Sequence, residues 1–297
     1  MKDDTMIRKT LNMFRLALLG GSLITLNAHA TEILVPAYFY PNAAPSLSFW
    51  TDMTASLSQG VAITAIMNPN SGPNITDPND INAYKSAIND FRAAGGKVIG
   101  YVSTQFGARD TTAVLSDVNT YHSTYSIDGI FLDEMHNIAA TLPYYQNLRS
   151  EISNINAGYQ VFGNAGTHTL EDYTSAADVL ITFENHEGYD SYAPAAWTTH
   201  YAPSRFAHLL YDVQTTAQMQ TYLALAASRN VGYVYITDDR YTTVASQTFV
   251  NPWDTLPSYW NAEVAAISSV PEPSNMAFFL VGLGLMGWQL QRRQLMS

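Results

Sequence analysis

The sequence predicts an α/β fold of the (β/α)₈ class, a single closed barrel, and three observations carry that reading. Eight short runs rich in β-branched and aromatic residues recur along residues 31–269. Stretches of helical character separate them, and their spacing is close to one strand-plus-helix unit each. Eight such units in this length are what a barrel of parallel strands requires.

The runs are Ile33–Pro41, Val61–Met67, Lys97–Thr104, Ile127–Asp133, Tyr159–Gly163, Val179–Glu184, Arg205–Tyr211 and Val231–Thr237. Each has the length and composition of a buried strand. Between the second and third lies "DPNDINAYKSAINDFRAAGG". It opens on Asp77, Asn79 and Asp80 as capping residues and closes on Gly95 and Gly96, the usual asymmetry of helix ends. "TTAQMQTYLALAASRN" plays the same part before the eighth strand. Only Thr167–Ala177, ahead of the sixth strand, is tight, with room for a short helix. A doubly wound open sheet is the competing arrangement, but "YPNAAPS" after the first strand contains no glycine to cradle a phosphate.

Both ends of the chain read as appendages. Residues 1–30 have a basic start (Arg8, Lys9, Arg15), a short apolar run over Leu16–Leu26 and small residues at Ala28 and Ala30, the order of a secretory signal peptide. The last 28 residues begin with Val270-Pro271-Glu272-Pro273, continue as an apolar stretch and end on Arg292-Arg293. This order resembles a PEP-CTERM sorting signal. The resemblance implies export, transient membrane contact, processing by an exosortase-type enzyme, and a place in the envelope or extracellular matrix of a Gram-negative bacterium that makes exopolysaccharide.

Residues 31–269 hold 8 Lys and Arg against 22 Asp and Glu, a net charge of −14. A basic nucleic-acid footprint is absent; the acidity suits solubility or the attraction of a cationic ligand. There is no cysteine, which excludes disulfides, thiolate metal sites and thiol nucleophiles. The histidines form no HExxH pair, and no Gly-x-Ser-x-Gly is present, so neither a zinc site nor a serine nucleophile is expected. No cofactor is called for.

In a barrel the active site forms at the C-terminal ends of the strands. There the sequence places Tyr38, Tyr40, Asn68, Tyr101, Thr104, Asp133, Glu134, Asn164, Glu184, Tyr211, Asp212, Asp238 and Asp239. Asp133 and Glu134 follow the apolar run "GIFL" and Glu184 follows "VLITF". An unpaired carboxylate facing a core is costly, so such placement points to use. Strand alternation lets at most one of the adjacent pair face the axis while strand geometry lasts. Carboxylates on the fourth and sixth strands can approach to about 5–9 Å, a range that spans both retaining and inverting glycoside hydrolysis. Nineteen tyrosines and five tryptophans, among them Tyr38, Tyr40, Trp50, Tyr101, Tyr189 and Trp197 near strand ends, suit the mixed surface of a sugar ring.

"PAYFYP" with a following Trp50, "NPNSGP", "VIGYVST", "IDGIFLDE" and "TFEN" together resemble the spherulin-4-like glycoside hydrolases over about residues 35–240. That resemblance implies a (β/α)₈ fold and endo-acting cleavage of α-1,4-linked galactosamine or N-acetylgalactosamine polysaccharide. It implies Asp133 as nucleophile, Glu184 as general acid/base and Glu134 as a supporting carboxylate. Tyr38, Tyr40, Asn68, Tyr101, Thr104, Asn164, Asp212 and Asp238 are the expected substrate contacts. A chitinase-like site fits less well, because its D-x-D-x-E spacing differs from the adjacent acids here. The alternative of another class is a non-catalytic matrix or adhesion protein that binds polysaccharide on a barrel scaffold.

Overall fold

All eight runs form parallel strands, and they close on one another in sequence order. The structure is a computed structural model, which describes residues 31–42, 44–244 and 247–269. The segments read as export and sorting signals, 1–30 and 270–297, lie outside the described residues. The strands are β1 (Glu32–Ala37), β2 (Ile63–Met67), β3 (Lys97–Ser103), β4 (Gly129–Asp133), β5 (Gln160–Asn164), β6 (Val179–Asn185), β7 (Phe206–Leu210) and β8 (Tyr233–Ile236). β1 pairs with both β2 and β8, which seals the barrel and leaves no open edge.

Helices α1 (Ser46–Ser56), α2 (Pro78–Ala93), α3 (Thr111–Thr124) and α4 (Leu142–Ile155) follow the first four strands, and α5 (Thr216–Ser228) follows β7. The α2 boundary is set as its sequence predicts. Asp77 caps the first turn by accepting from the Asn79 amide at 2.8 Å, Pro78 occupies the first turn, and Gly95 beyond the end takes a φ of 101°. The tight interval after β5 holds a 3₁₀ turn, Glu171–Ser175. The β6–β7 crossover contains only 3₁₀ turns; Pro194 and Pro203 stand in it, and proline inside a helix forfeits a hydrogen bond and clashes with the turn before it. After β8 the chain makes an antiparallel pair, β9 (Thr242–Val244) and β10 (Gln247–Val250), then α6 (Trp260–Ser268).

Register decides which side chains fill the barrel. Tyr101, Phe131 and Phe162 are paired neighbours on β3, β4 and β5, so they share one face. Phe162 meets Tyr233, three strands away, with ring centroids 5.3 Å apart. Contact between non-adjacent strands requires that face to be the interior. Two residues further along each strand, on the same face, stand Ser103, Asp133 and Asn164.

At Gly129 the packing leaves no room for a side chain. A Cβ added to Gly129 would lie 2.2 Å from the Gln160 carbonyl oxygen on the neighbouring strand. Backbone cannot move aside as a flexible side chain can. Gly129→Ala should therefore destabilise the fold by about 3 kcal/mol or more, read as a lower urea midpoint at unchanged slope. A wild-type midpoint would show that β4 and β5 can separate freely at this level.

Candidate active site

Three strand ends converge on one amide. Asn164 Nδ2, at the end of β5, donates to Asp133 Oδ1 at 2.7 Å and to Glu184 Oε2 at 2.6 Å. The Gly166 amide, which can only donate, reaches Asn164 Oδ1 at 2.9 Å and so fixes the side chain with its NH₂ toward the two acids. With both bonds laid end to end, these carboxylate oxygens can stand no more than about 5.3 Å apart.

Glu184 reaches the mouth through an irregularity. Ile181 pairs with Ala207 and Phe183 with His208, leaving Thr182 as one residue too many on β6. Ile181 is on the inward face with Asn164, so strict alternation would turn Phe183 in and Glu184 out. The bulge reverses the order from Phe183 onward. Glu184 then pairs with Leu209 and Tyr235 on the inner face, whereas Phe183 packs outside on Tyr189, Tyr192 and His208. The extra residue is anchored: Thr182 Oγ1 lies 3.1 Å from His208 Nε2, and its carbonyl accepts from the Tyr192 hydroxyl at 3.1 Å.

Asp133 and Glu134 both serve the mouth, against the expectation from alternation. β4 ends at Asp133, and Glu134 takes a left-handed φ of 54° that returns its side chain to the inner side. There its carboxylate accepts from the Ser103 hydroxyl. Thr104 is fully buried, its hydroxyl 2.8 and 2.9 Å from the Asp133 and Glu134 carbonyl oxygens. Expected as a substrate contact, it is instead a clamp on the backbone that carries both acids.

The two principal carboxyls are only half-buried yet deeply surrounded, and their proton affinities reflect it. Desolvation, then the nearby Asp133 charge, pushes Glu184 up to about 7, and its bond from Asn164 only partly opposes this. Asp133 is also raised by burial, but Tyr101, the Glu134 amide and Asn164 all favour its ionised form. Three donors against one make Asp133 the acid that ionises first. Tyr38 and Tyr101 meet edge-to-face at 5.7 Å beside the pair, both kept neutral by burial and by the Asp133 charge.

Other expected contacts are engaged by the protein's own groups. Tyr40 leaves the mouth once β1 ends at Ala37 and packs edge-on against Tyr84 of α2 at 5.3 Å. Trp50 is buried, with its indole N–H on the Phe39 carbonyl, and Tyr189 is buried on His208. Trp197 packs on Tyr201 and Phe206. Asn68 accepts from the Gly72 amide at 2.9 Å and so closes its own loop. Asp212 accepts from Gln214, and Asp238 accepts from the amide and hydroxyl of Ser258, which fastens the chain ahead of α6. These bonds do not join either aspartate to the Asn164-bridged pair. Two participants escaped the sequence reading. Ser103 is two residues beyond Tyr101 on the inner face, a signal that alternation carries; Tyr241, in the loop after β8, has no such signal. Among the described residues no three metal-ligating side chains converge.

Residues 32–267 match the family model described as Spherulation-specific family 4, Spherulin4. The chain belongs to the spherulin-4 family. Spherulin-4 of Physarum polycephalum is 29% identical over 248 residues, covering 80% of this chain and 70% of that protein. Among solved structures, Sph3 of Aspergillus clavatus, determined in complex with GalNAc, superposes with a TM-score of 0.66 at 19% identity, covering 81% of this chain and 98% of its own. A chitinase from Chromobacterium violaceum gives 0.51 at 12% identity, covering 82% of this chain and all of its own. At such identities the likeness is one of fold. The five motifs of the spherulin-4 resemblance map onto strand ends of this barrel, with "IDGIFLDE" closing β4 and "TFEN" closing β6.

Proposed function

We propose that this spherulin-4-family protein is a retaining, endo-acting glycoside hydrolase. Its substrate is a polysaccharide of α-1,4-linked galactosamine or N-acetylgalactosamine. The observation that carries the reading is the Asn164 bridge, which holds Asp133 and Glu184 oxygens within about 5.3 Å. Separation near 5 Å suits a carboxylate that attacks the sugar directly, whereas an inverting pair leaves space for water.

In the first step Asp133, the better stabilised anion, attacks the anomeric carbon, and Glu184 gives its proton to the departing glycosidic oxygen. In the second, ionised Glu184 takes a proton from water, which attacks the anomeric carbon and releases Asp133. Glu134, held by Ser103, adds negative charge beside the oxocarbenium-like transition state. Tyr38 and Tyr101 supply the apolar side of the pocket together with hydroxyl donors.

Charge supports a cationic, partly deacetylated polymer. Of the eight cationic side chains in 31–269, only Arg109 and Arg240 stand in loops at the rim, and Arg109 is tied to Asp117. Asp133, Glu134, Glu184, Glu187 and Asp212 occupy that rim, so an amine-bearing sugar meets a negative field. The N- and C-terminal signals read from the sequence support a location outside the cytoplasm, on the cell envelope or in its matrix.

Incubation with α-1,4-linked galactosamine-rich polysaccharide should release new reducing ends, and proton NMR of the earliest products should show the α-anomer. An initial β-anomer would exclude the retaining step. Polymer binding without release would make the protein a binding module.

A further inference from the structure

The rim carries aromatic side chains that two-carboxylate chemistry does not require. Phe106, in the loop after β3, is 58% exposed. Its backbone is held in an unfavourable turn: Gln105 and Phe106 have φ of 49° and 56°, before Gly107 at 80°. Left-handed backbone costs a non-glycine residue about 1–2 kcal/mol, and an exposed ring recovers none of that by burial. The turn is nonetheless pinned, because the Phe106 amide donates to the Glu134 carbonyl at 2.8 Å. The loop is thereby fastened to the residue following Asp133, and His136 lies edge-on to the ring at 6.4 Å.

A second group stands beyond Glu184. Tyr241 is 48% exposed and meets Tyr211 edge-on at 5.3 Å; Tyr211 meets buried Trp253 at 5.7 Å and His186 at 5.2 Å. His186 is two residues beyond Glu184, so this aromatic group stands on the Glu184 side of the rim. Around the rim the order is Phe106 on the β3 loop, Asp133 on β4, Asn164 on β5, Glu184 on β6, Tyr211 after β7 and Tyr241 after β8. Exposed aromatic faces thus flank the carboxylates on both sides.

We propose that Phe106 and Tyr241 are sugar-stacking subsites on opposite sides of the cleaved linkage, Phe106 on the Asp133 side and Tyr241 on the Glu184 side. Each holds a further ring of an extended polysaccharide. The inference rests on the glycosidase reading and specifies where its polymer lies. Support on both sides of the linkage makes internal cleavage the natural outcome.

The test compares wild type, Phe106→Ala, Phe106→Trp and Tyr241→Ala on α-1,4-linked galactosamine oligosaccharides of graded length and on the polymer. Wild-type kcat/KM should climb with chain length. Each alanine variant should lose one step of that climb, about three- to tenfold on the polymer, and the two should shift product lengths in opposite directions. Tryptophan at 106 should restore the lost step. Alanine variants that track wild type at every length and give its products would overturn the subsites while leaving the hydrolase standing. If wild type cuts nothing, calorimetric titration of the polymer onto the same proteins still decides: weaker binding by the alanine variants supports the platforms, and equal binding overturns them.

Discussion

Asp133→Asn should lower kcat on the galactosamine polymer by roughly 10⁴-fold while leaving the protein as stable as wild type or more so. Asparagine keeps the shape and the contact with Asn164 but has no anion to attack the sugar. The stability half follows from the raised proton affinity of Asp133. A carboxyl whose folded pKa exceeds its unfolded value holds its proton longer in the fold than in the unfolded chain. Its contribution is therefore fullest at low pH and declines as pH rises from the unfolded pKa through the folded one. Neutral asparagine removes that loss. Thermal melts at pH 5 and pH 8 should show the variant gaining on wild type at the higher pH. Wild-type turnover in the purified variant would take Asp133 out of the mechanism.

Glu184→Gln should reduce polymer hydrolysis by about 10²–10⁴-fold and erase the basic limb of the pH profile. In wild type the acid must carry its proton when the linkage breaks. Glu184 sits at about 7, so kcat/KM should fall about tenfold per pH unit above that point. A substrate with an activated aryl leaving group needs little protonation and should still transfer its sugar to Asp133 in the variant. Azide, which attacks without a general base, should then restore turnover and give a glycosyl azide of retained configuration. A basic limb that persists in Glu184→Gln would assign the titration to another group.

The barrel was legible because its signal is redundant: eight runs, one period and helices between them agree, and errors of one or two residues at strand ends leave the topology intact. Asp133, Asn164 and Glu184 were legible for a related reason, as polar residues closing apolar strands. What alternation could not supply was direction beyond a strand's end. Glu134 joins Asp133 only because its φ becomes positive, and Tyr40 departs because β1 stops three residues earlier. Thr104 looked equally available, yet its hydroxyl is consumed by two carbonyls. Large aromatics misled most: Trp50 and Tyr189 have the composition of a sugar platform and the position of core. Phe106, the exposed ring, carries no such signal, since nothing in "TQFGARD" announces a left-handed turn.

The irregularity at Thr182 makes the chemistry a matter of counting. Were the sixth strand to slip back into even step with the seventh, the ladder would survive, but a phenyl group would turn into the barrel and the Glu184 carboxyl would face Tyr189 and Tyr192 outside. His208, which touches no sugar in this mechanism, is what keeps the count, by gripping the surplus residue from behind. Selection for catalysis should therefore press on that imidazole and on the Tyr192 hydroxyl beside it almost as hard as on the acids, even though both stand on the far side of the wall.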